Sequence, residues 1–378
     1  MVTATAEEKK PEGDAEASPP PLPSLPPWQE TILARYPRNF KIAVFLGVLI
    51  LATSPLYLKI PESWNAKTKT ITRVEKEDGT ATSSKTETPA VADKPVINNA
   101  SSASAIINDQ DDRTLRLPQA PDVSLSEDTS EGSLPRVSED GRQPWQVYAR
   151  PFNTADLRPR IAIIITDMGL SRNATDAAIN RLPTNVTLAF DVQSPVVGAW
   201  CARARQAGHE TLLMVPMEPF DYPRSDPGIN TLLTSLPNTD NLTRFYWALR
   251  QATGYVGVTT LSGSRFTTDP TKLATVLDVL HKRGLMIFDA KVAPHSAIMD
   301  MARDMHVPAV ANTTRIDQNP SPEAIDQALD QLEKTARLTG KAVGVAAPLP
   351  AVIDRLENWT KTLPEHGIAL APVSAMVQ

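Results

Sequence analysis

The C-terminal part of the chain alternates between short apolar runs and longer amphipathic stretches. The apolar runs show no polar residue at every second position, which is typical of strands buried on both faces of a sheet. Gly, Pro or polar residues bound most of these runs. The pattern predicts eight strands, at residues 161–166, 186–191, 210–216, 255–259, 285–289, 307–310, 341–346 and 368–371.

Helical periodicity fills the segments between the predicted strands. Strands that alternate with helices form a parallel sheet covered by helices. This number of units favours a distorted (β/α) barrel, and an open doubly wound sheet is the alternative. The predicted helices lie at residues 171–181, 195–207, 239–252, 270–283, 295–305, 321–338 and 350–362.

The N-terminal part has a different composition. Residues 1–40 contain "ASPPPLPSLPP" and mixed charges, a composition that predicts a disordered, Pro-rich tail. Residues 60–156 are rich in Thr, Ser, Asp, Glu, Lys and Pro and have few aromatic residues, so we predict a flexible linker. The folded domain is then expected over residues 157–378, beginning near "RPRIAIIITDMG".

An uncharged run over residues 42–58 separates the tail from the linker. As a helix it would be roughly 25 Å long, near the lower limit for crossing a bilayer. A cleaved signal peptide and a buried core helix are the alternatives to a membrane anchor over residues 41–59. Positive charges before the run predict a cytoplasmic N-terminus, a single pass through the inner membrane and a domain on the periplasmic side.

The net charge and the cysteine content exclude few classes of function. The net charge of -5 is spread along the chain, and nothing in it suggests nucleic-acid binding. The single cysteine, Cys201, cannot form an internal disulfide. Because it lies in a helix-like run, we predict a packing or surface role for it rather than a nucleophilic one.

Polar residues that follow the predicted strands are the candidates for chemistry. In both parallel architectures the ligand site lies at the carboxyl ends of the strands. Carboxylates there could hold a metal or act as acid and base, but they could also cap helices or pair with each other. We favour the capping or pairing role for Asp191. The candidates are Asp167, Asp191, Glu218, Arg265 and Asp289.

Most histidines precede strands instead. His209, His281, His306 and His366 are therefore expected at the opposite end of the sheet, about 20 Å away. Only His295 follows a predicted strand, and it could also be a residue at a helix N-terminus.

Several segments together resemble the divergent polysaccharide deacetylase family. They are "IAIIITDMGL", "GHETLLMVPMEPF", "GVTTLSGSRFTTD", "RGLMIFDAKV" and "LPEHGIALAPVS", in the family's order and across residues 157–378. The resemblance implies a distorted (β/α) barrel with an N-terminal anchor and a periplasmic location. It also implies metal-dependent removal of acetyl groups from polysaccharide.

The family's chemistry uses a divalent metal, often zinc, held by one Asp and two His. A second Asp acts as the base, and a further His protonates the leaving group. This sequence retains only Asp167 of these groups, and Met or Leu cannot replace imidazole as a ligand. The departures from the family pattern are Thr166 in place of Asp, Met214 in place of His, Thr259-Thr260-Leu261 in place of Asn-Asn-His, and Ala346-Ala347-Pro348 in place of Gly-His-Pro.

The resemblance therefore leaves three hypotheses open. A degenerate deacetylase would lack a metal, keep Asp167 as a remnant, and bind a cell-envelope polysaccharide or a peptidoglycan-associated protein. An active hydrolase would have rebuilt its site and would need a divalent metal such as zinc. A scaffolding protein would use the long tether to position the domain near envelope machinery. The residues expected to line the pocket are Glu218, Ser264, Arg265, Asp289 and His295.

Overall fold

The computed structural model describes residues 116–377. The predicted tail at 1–40, the predicted anchor at 41–59 and the linker up to residue 115 lie outside the described residues. Within residues 116–377, no helix combines the length and the apolar character needed to cross a membrane.

The described part of the chain contains eleven strands and eight α-helices. The strands are β1 (Ser126–Thr129), β2 (Gly132–Pro135), β3 (Arg160–Met168), β4 (Thr187–Asp191), β5 (Thr211–Met217), β6 (Gly257–Ser262), β7 (Met286–Asp289), β8 (Ala309–Ala311), β9 (Thr314–Arg315), β10 (Lys341–Ala346) and β11 (Ala369–Leu370). The helices are α1 (Pro144–Val147), α2 (Arg172–Arg181), α3 (Val197–Gln206), α4 (Asn238–Leu249), α5 (Pro270–Arg283), α6 (Ile298–Asp304), α7 (Pro322–Thr339) and α8 (Pro350–Trp359).

Nine strands form one parallel sheet, an α/β half-barrel. Their order is β8-β7-β6-β5-β4-β3-β10-β9, and β11 pairs with the start of β3. The two end strands, β8 and β9, are consecutive in the chain. Between them the Asn312 N–H donates to the Asp289 carbonyl and the Thr313 N–H donates to the Val343 carbonyl. The predicted parallel, helix-covered sheet is confirmed, with the expected barrel present as a half-barrel.

Both faces of the central strand β3 are buried, which explains its sequence. Ile161, Ile163 and Ile165 pack under the helices, while Ala162 and Ile164 face the interior of the half-barrel. Successive side chains of a strand point to opposite faces, so burial of both faces removes the polar alternation. The other strands of the sheet also lack polar alternation, and this pattern allowed all eight of the predicted strands to be identified.

Helix α5 has the boundaries that its sequence predicts. The Asp269 side chain accepts hydrogen bonds from the N–H groups of Thr271 and Lys272, and Pro270 occupies the first turn. Gly284 ends the helix with a left-handed backbone, φ 61°. These signals are local in the sequence, so the boundaries needed no tertiary information.

The linker prediction is wrong for residues 116–156. This segment contains the antiparallel β1–β2 hairpin and helix α1. Leu125 and Tyr148 are buried in the interior cluster at 1% and 3% exposure. The segment has too few apolar residues to form a core of its own, but the half-barrel supplies the other side of the contact.

A buried carboxylate ties this N-terminal segment to the half-barrel. Glu210 accepts hydrogen bonds from the Arg150 N–H at 3.1 Å and from Thr187 Oγ1 at 3.3 Å. It also accepts bonds from the Ser374 N–H at 3.1 Å and from Ser374 Oγ at 2.5 Å. Burial raises the pKa of Glu210, and these hydrogen bonds oppose the rise. One side chain therefore joins three separate parts of the chain.

Replacement of this carboxylate should destabilise the fold. Glu210→Ala leaves buried donors without an acceptor, and we expect the free energy of unfolding to fall by about 3 kcal/mol. Urea unfolding followed by near-UV circular dichroism measures the change. Glu365→Ala, at an exposed position, is the matched control and should leave stability unchanged. Equal stability of the two variants would contradict the proposed role of Glu210.

Candidate functional site

Asp167 lies at the carboxyl end of β3, where the sequence predicts the site. Its backbone is left-handed, φ 56°. Its N–H donates to Met214 Sδ at 3.0 Å, and its Oδ2 accepts from Thr166 Oγ1 at 2.8 Å. The retained family position is therefore bonded to a thioether and a hydroxyl instead of facing imidazoles.

A second carboxylate, Asp191, lies close to the first at the end of β4. It is 4% exposed and accepts a hydrogen bond from the Gln193 N–H at 2.8 Å. Burial and the nearby charge of Asp167 both raise the pKa of Asp191. The sequence favoured a capping role, and Asp191 does hold its own loop. Its position near Asp167 agrees with the sequence, which places both carboxylates after strands at the same end of the sheet.

Two positions that the resemblance assigns to the family's metal site, Met214 and Leu261, belong to the apolar interior or pack against it. Met214 and Phe288 are part of the interior cluster, and Leu261 packs against it. Thr259 is fully buried, with Oγ1 donating to the Phe288 carbonyl at 2.9 Å. Zinc takes imidazole, thiolate or carboxylate ligands, so this donor set does not fit the metal. Among residues 116–377, no group of three or more His, Cys, Asp or Glu side chains could hold a metal ion.

Three predicted pocket residues come together beside β5: Glu218, Ser264 and Arg265. Glu218 is 6% exposed and accepts hydrogen bonds from the Thr234 N–H at 2.5 Å and Thr234 Oγ1 at 2.7 Å. Arg265 Nε lies 3.6 Å from Glu218 Oε1. Because the Arg265 side chain is 46% exposed, solvent screens this ion pair and its contribution to stability is small.

Ser264 and Arg265 fix the backbone of Phe220. Ser264 Oγ accepts the Phe220 N–H at 3.0 Å, and Arg265 Nη2 donates to the Phe220 carbonyl at 2.9 Å. The two side chains thus hold a neighbouring loop, although the sequence predicted that they line a pocket. The Phe220 side chain itself is 55% exposed.

The last two predicted site residues lie apart from these groups. Asp289 is 1% exposed at the end of β7, and it accepts hydrogen bonds from the Lys291 N–H at 2.8 Å and from the Ser296 side chain. Burial raises its pKa. His295 is exposed in the loop before α6. Asp289 therefore holds a loop, and its hydrogen bonds do not reach Asp167 or Glu218.

The other histidines and the cysteine have structural positions, as the sequence predicts. The buried His209 ring contacts the carbonyls of Val186 at 2.9 Å and Ile179 at 3.0 Å. His366 lies 3.0 Å from Glu333. Cys201 is buried, and burial raises the pKa of its thiol, so it is a packing residue.

Backbone strain is concentrated at the carboxyl ends of the strands. Within residues 116–377, five non-glycine residues have positive φ, and His306 is the one outside this end. Such conformations are costly for side chains other than Gly, and they cluster at functional sites. The other four are Asp167 and Ser262, in the last two positions of β3 and β6, and Asn230 and Lys291, in the loops after β5 and β7.

A cavity of about 840 Å³ lies at the opposite end of the half-barrel. Its lining includes Trp145, Phe152, Arg160 and Val307. Arg160 begins β3 and stacks 5.1 Å from the centre of the Phe152 ring. This cavity contains none of the predicted site residues.

The charge on Asp191 should make stability depend on pH. A carboxyl whose pKa is raised on folding favours the folded state most when it is protonated, and it loses that contribution as the pH rises through the folded pKa. Asp191→Asn keeps an acceptor for Gln193 without the charge. We therefore expect a higher melting temperature than the parent protein at pH 7 and a smaller difference at pH 4.

Thermal unfolding at both pH values tests this expectation. Asp330→Asn, at an exposed position on α7, is the matched control and should not change the melting temperature at either pH. A melting temperature of Asp191→Asn below that of the parent at pH 7 would show that the charged form is stabilised instead.

Similar solved and curated proteins come from bacteria. A crystal structure of the Agrobacterium tumefaciens C58 protein ATU2773 superposes with a TM-score of 0.64 and 34% sequence identity, and the match covers 65% of this chain and 100% of that one. A Haemophilus influenzae protein is 23% identical over 207 residues, which is 54% of this chain and 72% of the relative. Escherichia coli K12 YibQ is 23% identical over 222 residues, which is 58% of this chain and 68% of the relative.

The match to a family model covers the half-barrel itself. It spans residues 163–377, from β3 to the last described residue, and the family is described as divergent polysaccharide deacetylase. The matched region includes the carboxyl ends of the strands. The chain therefore belongs to the divergent polysaccharide deacetylase family.

Proposed function

We propose that this domain is a catalytically degenerate deacetylase that acts by binding a component of the cell envelope. The observation that carries the proposal is the environment of Asp167. Its N–H is bonded to Met214 Sδ and its carboxylate to the Thr166 hydroxyl. In a working site of this family, an imidazole would stand where the Met214 thioether stands.

The chemistry of deacetylation supports this proposal. A divalent metal polarises the acetyl carbonyl and activates water, and an imidazole protonates the leaving group. The interior here offers Met214, Leu261 and Phe288 instead. These side chains can neither bind zinc nor transfer a proton at neutral pH.

The location of the domain belongs to the same proposal. Residues 41–59 would anchor the chain in the inner membrane with the N-terminus in the cytoplasm, and the segment after them would carry the domain into the periplasm. A binding partner would then be a cell-envelope polysaccharide or a peptidoglycan-associated protein. The net charge of -5 gives no support to a nucleic-acid partner.

An active hydrolase with a rebuilt site is the second candidate, and one observation favours it. Asp167 and Asp191 interact electrostatically, and the pKa of Asp191 is raised. A carboxyl group whose pKa is raised can act as a general acid beside a second carboxylate. This candidate would also need a divalent metal such as zinc to polarise the acetyl group.

Measurements of metal content and acetate release distinguish the degenerate deacetylase from the active hydrolase. We expect the purified full-length protein to contain no stoichiometric zinc and to release no acetate from acetylated chito-oligosaccharides or peptidoglycan, with or without added zinc. The reason is the missing imidazole ligands. Asp167→Ala should behave like the parent protein.

The control for this test is Asp330→Ala, which lies on an exposed helical face. Stoichiometric zinc together with acetate release that Asp167→Ala abolishes and Asp330→Ala preserves would establish the active hydrolase. That result would overturn the degenerate-deacetylase proposal.

A further inference from the structure

Exposed apolar side chains gather around the carboxyl ends of the strands. Single exposed apolar residues are common on protein surfaces, whereas a continuous group marks an interaction site. Five of the large apolar residues exposed within 116–377 lie in loops that follow four neighbouring strands. These five residues, here named the mouth rim, are Leu170 (61% exposed) after β3, Val196 (51%) after β4, Phe220 (55%) and Ile229 (66%) after β5, and Leu349 (37%) after β10.

The loops of the mouth rim are adjacent to one another. The sheet order β10-β3-β4-β5 places their parent strands side by side. Ser194 Oγ donates to the Gly169 carbonyl at 2.9 Å, which joins the loops after β4 and β3. Gln193 Nε2 donates to the Ile229 carbonyl at 2.8 Å, which joins the loops after β4 and β5. These bonds join the loops after β3, β4 and β5, and the pairing of β10 with β3 places Leu349 after the neighbouring strand.

Phe220 is a rigid part of the mouth rim. Its N–H and its carbonyl are both fixed, by Ser264 and Arg265 respectively, while its ring projects into solvent. Aromatic anchors that are held in place before binding lose little entropy on association and dominate many interfaces. Phe220 fits this description, because hydrogen bonds fix its backbone N–H and its carbonyl while its ring is exposed.

Two acidic side chains lie at strand ends from which loops of the mouth rim begin. Asp167 is the second-last residue of β3, and Asp191, which is 4% exposed, is the last residue of β4. Their carboxylates accept from a hydroxyl and from a backbone N–H, so no cationic side chain within residues 116–377 pairs with them. A cation supplied by a ligand would relieve their mutual repulsion.

This combination fits a polypeptide better than a sugar or a lipid surface. Sugars need polar donors and acceptors around an aromatic platform, but the other rim residues are aliphatic, and Ser264 and Arg265 are engaged with the Phe220 backbone. Anionic lipid surfaces attract basic clusters, whereas the two carboxylates here would repel an anionic surface. A polypeptide segment with apolar side chains around a Lys or Arg would complement both the apolar mouth rim and the two carboxylates.

We propose that the mouth rim binds a polypeptide segment that presents apolar side chains around a Lys or Arg, the basic group facing Asp167. This inference rests on the proposed binding function and names the class of its partner. It assigns Phe220 as the apolar anchor and Asp167 as the charged contact. Ser264 and Arg265 are positioning residues that act through Phe220.

Selection from a library of random 12-residue peptides, displayed on phage and presented to the purified full-length protein, tests the proposal. We expect enriched peptides that combine Leu, Ile, Val, Phe or Trp with Lys or Arg and that contain few acidic residues. A synthetic peptide of the consensus sequence should lose affinity by about tenfold or more for Phe220→Ser. Leu338→Ser, which is 86% exposed on α7, is the matched control and should bind like the parent.

The charged contact is tested with the same peptide. Asp167→Asn should weaken binding of the basic peptide, and it should not change binding of a version in which Gln replaces the Lys or Arg. Arg265→Ala should weaken both versions, because it releases the Phe220 backbone and leaves the carboxylates in place. Circular dichroism confirms that each variant is folded.

Three results would overturn the proposal: no enriched peptides, enriched peptides that are acidic, or binding that Phe220→Ser does not weaken. Binding of chitotetraose or a soluble peptidoglycan fragment that depends on Phe220 would also overturn the polypeptide partner. The proposed binding function would survive that outcome, whereas zinc-dependent acetate release would overturn the binding function itself.

Discussion

Burial of both faces of the parallel sheet is the constraint on which the structure depends. The helices cover the outer face, so the interior of the half-barrel needs its own apolar filling. Ala162 and Ile164 supply part of it, and Met214 and Phe288 continue it to the carboxyl ends of the strands. Methionine is suited to this task because it fills irregular gaps. The fold thus stays packed where the family's chemistry would otherwise require polar ligands.

The loops at the carboxyl ends of the strands are held by strained backbones and by hydrogen bonds between neighbouring loops. Strained backbones lie at the ends of β3 and β6 and in the loops after β5 and β7. The Arg265 N–H donates to the Glu218 carbonyl, and Ser264 and Arg265 both bond the Phe220 backbone. Such strain persists only where the surroundings enforce it. Here the enforced geometry holds Phe220 in solvent and keeps Asp167 at the end of its strand. These hydrogen bonds therefore fix the loops at this end of the half-barrel.

Most of the fold was predictable from the sequence, and its N-terminal boundary was not. All eight predicted strands and all seven predicted helices are present, because periodicity, caps and turn residues are local signals. The hairpin β1–β2 was missed because residues 116–156 resemble a linker in composition. Leu125 and Tyr148 become core residues only when the half-barrel covers them. Contacts between residues that are far apart in the chain leave no periodic pattern in the sequence.

The sequence by itself determined the order of strands and helices, the end of the sheet at which polar residues would gather, and the fact that only one histidine, His295, follows a predicted strand. Only the tertiary structure decided which of those residues meet. The register of β3 to β5 places Asp191 beside Asp167 and Met214 beneath it. The crossing of two loops turns Ser264 and Arg265 towards the Phe220 backbone. Such meetings depend on strand register and loop geometry over long sequence separations, which the pattern of a single chain does not contain.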